Sequence, residues 1–272
     1  MEKLTKAIKQ NDCLMACLQL AGLFQQSKFV PQDYQSLLLA WASKAKFFIK
    51  TPVRNLDSFR TFIRYFYVEL AFSGDELGYF SSRYNLLNKV FEYRTGIPIT
   101  LSIIFQQLAK QVGFDVCGVN FPGHFLLKCR FEEQATIYLD PLNGNILQRQ
   151  DLERMYFSIL TEIEDETMPE EALNEASCSE TVISLLHNLK ASYIKQKCYS
   201  KALDAVQLLV ELCPNDPYER RDRGFLLYQL DCTQVAMTDY QYFIRQCPDD
   251  PSSQLLQAQL QQLAEQAPEI LH

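Results

Sequence analysis

Residues 96–113 read Gly96-Ile97-Pro98-Ile99-Thr100-Leu101-Ser102-Ile103-Ile104-Phe105-Gln106-Gln107-Leu108-Ala109-Lys110-Gln111-Val112-Gly113. Gly96 and Pro98 open a helix from Ile97 to Val112, because proline suits a first helical turn, where its missing N–H is not needed. Gly113 closes it. Three short β-like runs follow, Asp115–Asn120, His124–Arg130 and Thr136–Leu139, with Phe121-Pro122-Gly123 as the first turn. A helix followed by antiparallel strands predicts an α+β core. In a tight hairpin Cys117 pairs near Lys128, on the order of 13 Å from the level of His124 at about 3.3 Å per residue.

Upstream, helical periodicity dominates. Tyr34, Leu37, Leu38, Trp41 and Ala45 share a face after Pro31, and Leu56, Phe59, Phe62, Ile63, Phe66 and Leu70 form a second stripe ended by Ser73-Gly74. Both stripes predict core. Lys3, Lys6 and Lys9 before the apolar run Cys13–Phe24 imitate a leader sequence. Asp12 and Gln19 break the pattern, and the expectation is a helix of the folded domain.

Downstream, the chain repeats every 34 residues from Ile183. Ala202 recurs as Ala236, Gln207 as Gln241, Cys213-Pro214 as Cys247-Pro248 and Asp216-Pro217 as Asp250-Pro251. That is the period of a tetratricopeptide (TPR) helix pair. The alanines let paired helices approach, Gly224 marks a tight packing position where the first repeat has Lys190, and Gln254–Leu263 predicts a capping helix. Between Thr161 and Glu180 lie eight acidic residues and no Lys or Arg, so the rest of the chain nets −7 − (−8) = +1. The expected organisation is a domain over 1–160, a solvated acidic linker over 161–180 and two repeats plus a cap over 181–272.

The motifs Arg94-Thr95-Gly96-Ile97-Pro98-Ile99-Thr100, Val119-Asn120-Phe121-Pro122-Gly123-His124-Phe125 and Leu139-Asp140-Pro141-Leu142-Asn143-Gly144, with Arg220-Arg221-Asp222-Arg223-Gly224 in the second repeat, carry a resemblance over essentially the whole chain. They resemble the SirB-type (YchA-like) bacterial family, in which a transglutaminase-like domain precedes TPR repeats. The resemblance implies a helical N-terminal region with a papain/transglutaminase-like helix-plus-antiparallel-strand core, then an all-α TPR domain. It implies a nucleophilic Cys at a helix N-terminus, a His on the next strand and an Asp on the strand after. There the helix-end amides and an imidazolium lower the thiol pKa, and the carboxylate orients the ring. By motif His124 is the histidine and Asp140 the aspartate. The family pattern Gly-x-Cys falls on Gly96-Ile97-Pro98, so the nucleophile position reads as Pro98, which has no nucleophile. His187 and His272 suggest no chemistry.

Net charge −7, pI about 5.1 and the lack of a Lys/Arg cluster argue against nucleic-acid binding. The nine cysteines include no C-x-x-C pair and the chain has only three histidines, so no metal site and no cofactor are expected. Scattered, odd-numbered cysteines predict reduced thiols in a cytoplasmic protein. No stretch reaches the ~18 apolar residues that would span a membrane. The expectation is a non-catalytic adaptor or regulatory protein working through protein contacts. Its partner is another protein or its own N-terminal domain, with Arg220, Arg221 and Arg223 as interaction candidates. The competing expectation is an amide- or peptide-directed hydrolase or transferase using His124 and Asp140 with a hydroxyl such as Thr100 or Ser102. A remnant cleft holding a ligand would offer Asn120 and Asn143 as polar contacts.

Overall fold

The computed structural model describes residues 1–25, 30–75, 81–132, 135–159 and 167–266. The chain divides into two compact units, residues 1–185 and 186–272.

The first unit begins with α1 (Glu2–Lys9), α2 (Cys13–Leu23), α3 (Pro31–Ile49) and α4 (Leu56–Arg64), which continues into a π-helical turn, Tyr65–Glu69. Each start has a local cause. Asp12 accepts the Met15 amide at 3.0 Å, Pro31 opens α3, and Asn55 and Ser58 form a reciprocal capping box on α4. The second apolar stripe does not run to Ser73-Gly74 as one helix. The wide turn is followed by left-handed Ala71 at φ 56°, and Ser73–Gly74 becomes β1, paired in parallel with β2 (Thr95–Gly96). Two short helices, α5 (Ser82–Asn85) and α6 (Leu87–Tyr93), lie between these strands.

The helix read from residues 96–113 is α7 (Pro98–Val112). Eleven of its fifteen residues are buried, among them Leu101, Ile103, Ile104, Phe105 and Leu108, so it packs deep in the unit and leaves the side with Gln107, Lys110 and Gln111 uncovered. Phe105 meets Phe59, Phe62 and Phe66 edge-on at centroid distances of 5.0 to 6.0 Å, a geometry that adds to plain area burial. Gly113 ends the helix at φ 100°.

The chain then forms β3 (Asp115–Val119), β4 (Leu126–Arg130), β5 (Ile137–Leu139) and β6 (Ile146–Leu147). They pair antiparallel in the order β3-β4-β5-β6, with Cys117 opposite Lys128 and Leu127 opposite Leu139. α8 (Arg149–Phe157) follows.

The acidic stretch expected as a solvated linker differs from that reading wherever it is described. Residues 160–166 lie outside the described residues, but from 167 onward the chain packs on the first unit. Met168 and Leu173 are each 3% exposed in a cluster with Val119, Phe121, Leu126 and Leu152. Glu175 bridges to Val119, and Ala176 N donates to Gly118 O at 2.8 Å. Charge count alone hid two apolar anchors among the acids.

In the second unit the helices are the continuation of α9 (Cys178–Lys195), then α10 (Tyr199–Leu212), α11 (Pro217–Gln229), α12 (Thr233–Gln246) and α13 (Pro251–Gln266). The repeated Asp-Pro dipeptides start helices. Asp216 accepts from Tyr218 N at 2.9 Å and Asp250 from Ser252 N at 2.7 Å, while Pro217 and Pro251 take the first helical position. Ala202 and Ala236 are fully buried. Gly224 lies against α12 so closely that an added Cβ would stand 2.8 Å from the Tyr240 ring.

Candidate functional site

Antiparallel pairing of β4 with β5 brings the start of one beside the end of the other. His124 precedes β4 and Asp140 follows β5, so the register that sets Leu127 opposite Leu139 also brings these two side chains together. His124 Nε2 stands 3.2 Å from Asp140 Oδ1, and both side chains are about four-fifths buried (19% and 18% exposed). His124 enters from a turn in which its own amide donates to Phe121 O at 2.9 Å and Gly123 has φ 67°.

Asp140 is the anchor of a tight loop. Its Oδ1 accepts from Leu142 N at 2.9 Å, its backbone N–H donates to Asn145 O at 2.9 Å, and its carbonyl accepts from Gly144 N at 2.8 Å. Burial acts to raise its pKa, but hydrogen bonds from His124, the Leu142 amide and Asn143 outweigh it and hold the carboxyl below its ordinary value. Asn143 therefore joins the site through Asp140, while its Oδ1 accepts from Asn145 N at 2.9 Å. Asn120 is exposed and its Oδ1 accepts from Ser184 Oγ at 3.2 Å, so it ties the end of β3 to α9.

One residue of the site was not singled out in the sequence. Tyr67 donates to Pro141 O at 2.8 Å, and its ring lies where a Cβ on Gly144 would be, at 2.5 Å. Burial, with Asp140 nearby, pushes its hydroxyl well above the usual tyrosine range, so it stays a neutral donor. The signal was available as the aromatic directly after Phe66, but a stripe assigned to core gives no reason to single out the residue beside it.

At the helix end, Pro98 occupies the first position of α7 and is buried. Thr100 is also buried, and its hydroxyl is fully engaged. Oγ1 accepts from Ile97 N at 3.1 Å and donates to Tyr84 O at 3.0 Å, with Ile97 O at 3.1 Å. Ser102 is fully buried and its Oγ has no hydrogen-bond partner among the described residues. Neither hydroxyl bonds His124. Cys117 donates to Lys128 O at 3.7 Å, and burial raises its thiol pKa to about 11, which disfavours thiolate chemistry.

The three arginines of the second repeat are held inside their own unit. Arg223 forks onto Asp239 with 2.6 and 2.7 Å bonds, and Asp239 is 1% exposed. Arg220 stacks over Tyr242 at 4.6 Å and lies 3.6 Å from Asp239. Arg221 bonds Asp222 at 3.0 Å and lies over the rings of Tyr218 and Phe243. His187 Nδ1 is 3.4 Å from Glu219, beside Lys190, whose ammonium reaches both Glu219 oxygens at 3.0 Å and Asp222 at 2.7 Å. His272 lies outside the described residues. Among the described residues no group of three or more His, Cys, Asp or Glu is arranged to hold a metal ion, and no helix is long and apolar enough to cross a membrane.

A buried helix before an antiparallel sheet, a His–Asp pair at the ends of adjoining strands and a following set of paired helices define a transglutaminase-like domain joined to TPR repeats. Comparison with known proteins agrees. Residues 32–186 match the transglutaminase-like superfamily and residues 189–261 the tetratricopeptide repeat. A UPF0162 protein of Vibrio cholerae is 36% identical over 218 residues, 79% of this chain and 78% of that one. Protein SirB1 of Salmonella typhimurium is 33% identical over 199 residues, 73% of each chain. The UPF0162 protein YchA of Escherichia coli is 30% identical over 236 residues, 87% of each. The chain belongs to this SirB1/YchA family of transglutaminase-like, TPR-containing proteins. No solved structure matches it.

Proposed function

We propose that the protein is a non-catalytic adaptor or regulator of the cytoplasm, acting through protein contacts, with a transglutaminase-like domain that has kept its His–Asp pair and lost its nucleophile. The observation that carries this reading is the start of α7, where Pro98, the residue onto which the family's Gly-x-Cys pattern falls, takes the first helical position and the next hydroxyl, on Thr100, is closed into the helix cap. Acyl transfer needs a nucleophile within about 3.2 Å of its base. His124 bonds Asp140, and neither hydroxyl of the α7 start bonds it. Asp140 in turn is spent on its own loop. Such a pair works as a clasp between β4 and the loop after β5.

The test combines chemistry and capture. The purified chain is assayed for amine incorporation into glutamine-containing peptides and for peptide and amide hydrolysis, and is treated with a fluorophosphonate probe for activated hydroxyls. The expected result is no turnover and no labelled hydroxyl. Turnover abolished by His124→Ala would refute the reading and install the hydrolase or transferase alternative. Capture of partners by the full chain, compared with a chain lacking residues 186–272, measures how much of the contact surface the repeats supply.

A further inference from the structure

Three features of the first unit fall along one side of α3. The first is a cleft of about 430 Å³ between the α1–α2 turn, α3 and α7. Five carboxamides line it together with the helix-capping carboxylate of Asp12. Asn11 accepts from Cys178 N, while the side chains of Gln10, Gln35, Gln107 and Gln111 have no hydrogen-bond partner on the protein among the described residues. Leu38 and Leu39 give it an apolar wall, and Lys110 lines it as well. Its volume lies in the range of ligand-binding clefts.

The second feature continues from the cleft along the helix. Residues three and four apart share a helical face, so Gln35, Leu39, Ser43, Lys46 and Lys50 run in line with Phe47 beside them. Leu39 is 53% exposed and Phe47 83%, and Lys44, Lys46 and Lys50 are exposed around Phe47. The third feature is charge. From Tyr34 to Leu56 the chain has four cations and no acid, although the whole chain nets −7. No carboxylate of the described residues lies within ion-pair distance of Lys44, Lys46, Lys50 or Lys110. The lysines of α3 are spaced apart in sequence and meet only on the helix surface.

We propose that this side of α3, from the amide-lined cleft to Phe47, docks an acidic, apolar-containing peptide segment of a partner protein. The proposal rests on the protein-contact reading above and assigns a surface to it. A carboxamide is donor and acceptor in one group and so complements a peptide unit. Four such groups without internal partners suit an extended main chain. Leu39 and Phe47 take apolar side chains, and the lysines pair with carboxylates, which steers encounter and selects against basic segments. From Gln35 to Lys50 the helix rises about 22 Å, the span of roughly seven extended residues. An anionic bilayer suits this surface less well. A planar array of headgroups cannot run along a cleft as an extended main chain can.

The experiment uses the full chain and three probes: a fluorescein-labelled twelve-residue peptide alternating Glu with Leu, a matched peptide alternating Lys with Leu, and phosphatidylserine vesicles. The Glu–Leu peptide is expected to bind, more weakly as salt rises. The double variant Lys46→Glu with Lys50→Glu loses that affinity about tenfold or more and gains affinity for the Lys–Leu peptide. Phe47→Ser weakens the Glu–Leu peptide without the gain. All these residues are exposed, so unchanged thermal melting is the control for folding. Equal binding of both peptides, indifference to the charge reversal, or binding to vesicles in preference to peptide overturns the proposal. None of those outcomes touches the catalytic question, which the turnover assay decides separately.

Discussion

Asp140 gathers more bonds than any other residue of the site, and its chemistry sets an acid dependence. Its folded pKa lies below its ordinary value of 3.8, so in the carboxylate range the unfolded chain binds more protons than the folded one. Stability from this group is therefore complete above the ordinary value and is lost as pH falls through the folded one. Asp140→Asn keeps an oxygen for the Leu142 amide but cannot ionise. At pH 7 the variant is expected to be less stable by about 1–2 kcal/mol, the size of a charge-assisted hydrogen bond. As pH falls below the ordinary value the gap to the parent narrows, so it is smaller at pH 3 than at pH 7. Urea melts at both pH values check this, and a gap of the same size at pH 3 and pH 7 would sink it. The same residue shows what a sequence yields about a site. The motif framework paired His124 with Asp140, and strand order explains why they meet. Tyr67, which fixes the loop through Pro141, stands in the sequence only as the aromatic after Phe66, because its role depends on a contact across 74 residues.

Among elements, the repeats were the most legible, since a 34-residue period needs no tertiary information. Their individual contacts were less so. Positions 34 residues apart pair Leu189 and Ala205 in the first repeat with Arg223 and Asp239 in the second, so a bidentate ion pair stands where the first repeat has an apolar pair. This bears on the meaning of Arg223. Removing a partner from a buried ion pair leaves an uncompensated charge, whereas replacing both partners with apolar residues is often neutral or better. Arg223→Ala is expected to destabilise the second unit by about 2 kcal/mol, less than the full buried-pair cost because Arg223 is partly exposed and Arg220 stands nearby. The double variant Arg223→Leu with Asp239→Ala, which copies the first repeat, should recover most of that loss. Thermal melts of the two variants decide the matter. If the double variant melts no higher than Arg223→Ala, the pair does not act as a unit. Loss of partner binding in Arg223→Ala would then report a weakened repeat, so it cannot by itself mark Arg223 as a contact.

At the scale of the whole molecule, composition misled where single residues did not. By its average the stretch from 161 to 180 is a linker, since eight acids and no cation dominate it. An average discards order, and order is what places Met168 and Leu173 against Val119, Phe121, Leu126 and Leu152. Lys128 Nζ donating to Leu173 O at 3.2 Å, and Arg130 paired with Glu175, tie the same stretch to β4. A chain ending at residue 160 would therefore expose one side of the sheet. Burying a Met or Leu side chain contributes roughly 1.5–3 kcal/mol, so losing both removes several kcal/mol from a unit whose total stability is on the order of 5–15 kcal/mol. A chain of residues 1–160 should melt well below a chain of residues 1–195 and bind a hydrophobic dye. The longer chain keeps Met168, Leu173 and the Val119–Glu175 bridge, and should unfold in one cooperative step. Adding Met168→Ser and Leu173→Ser to it should reproduce most of the deficit of the shorter one. Equal melting of the two chains would return this stretch to the status of a linker. The unit would then close on α8 alone.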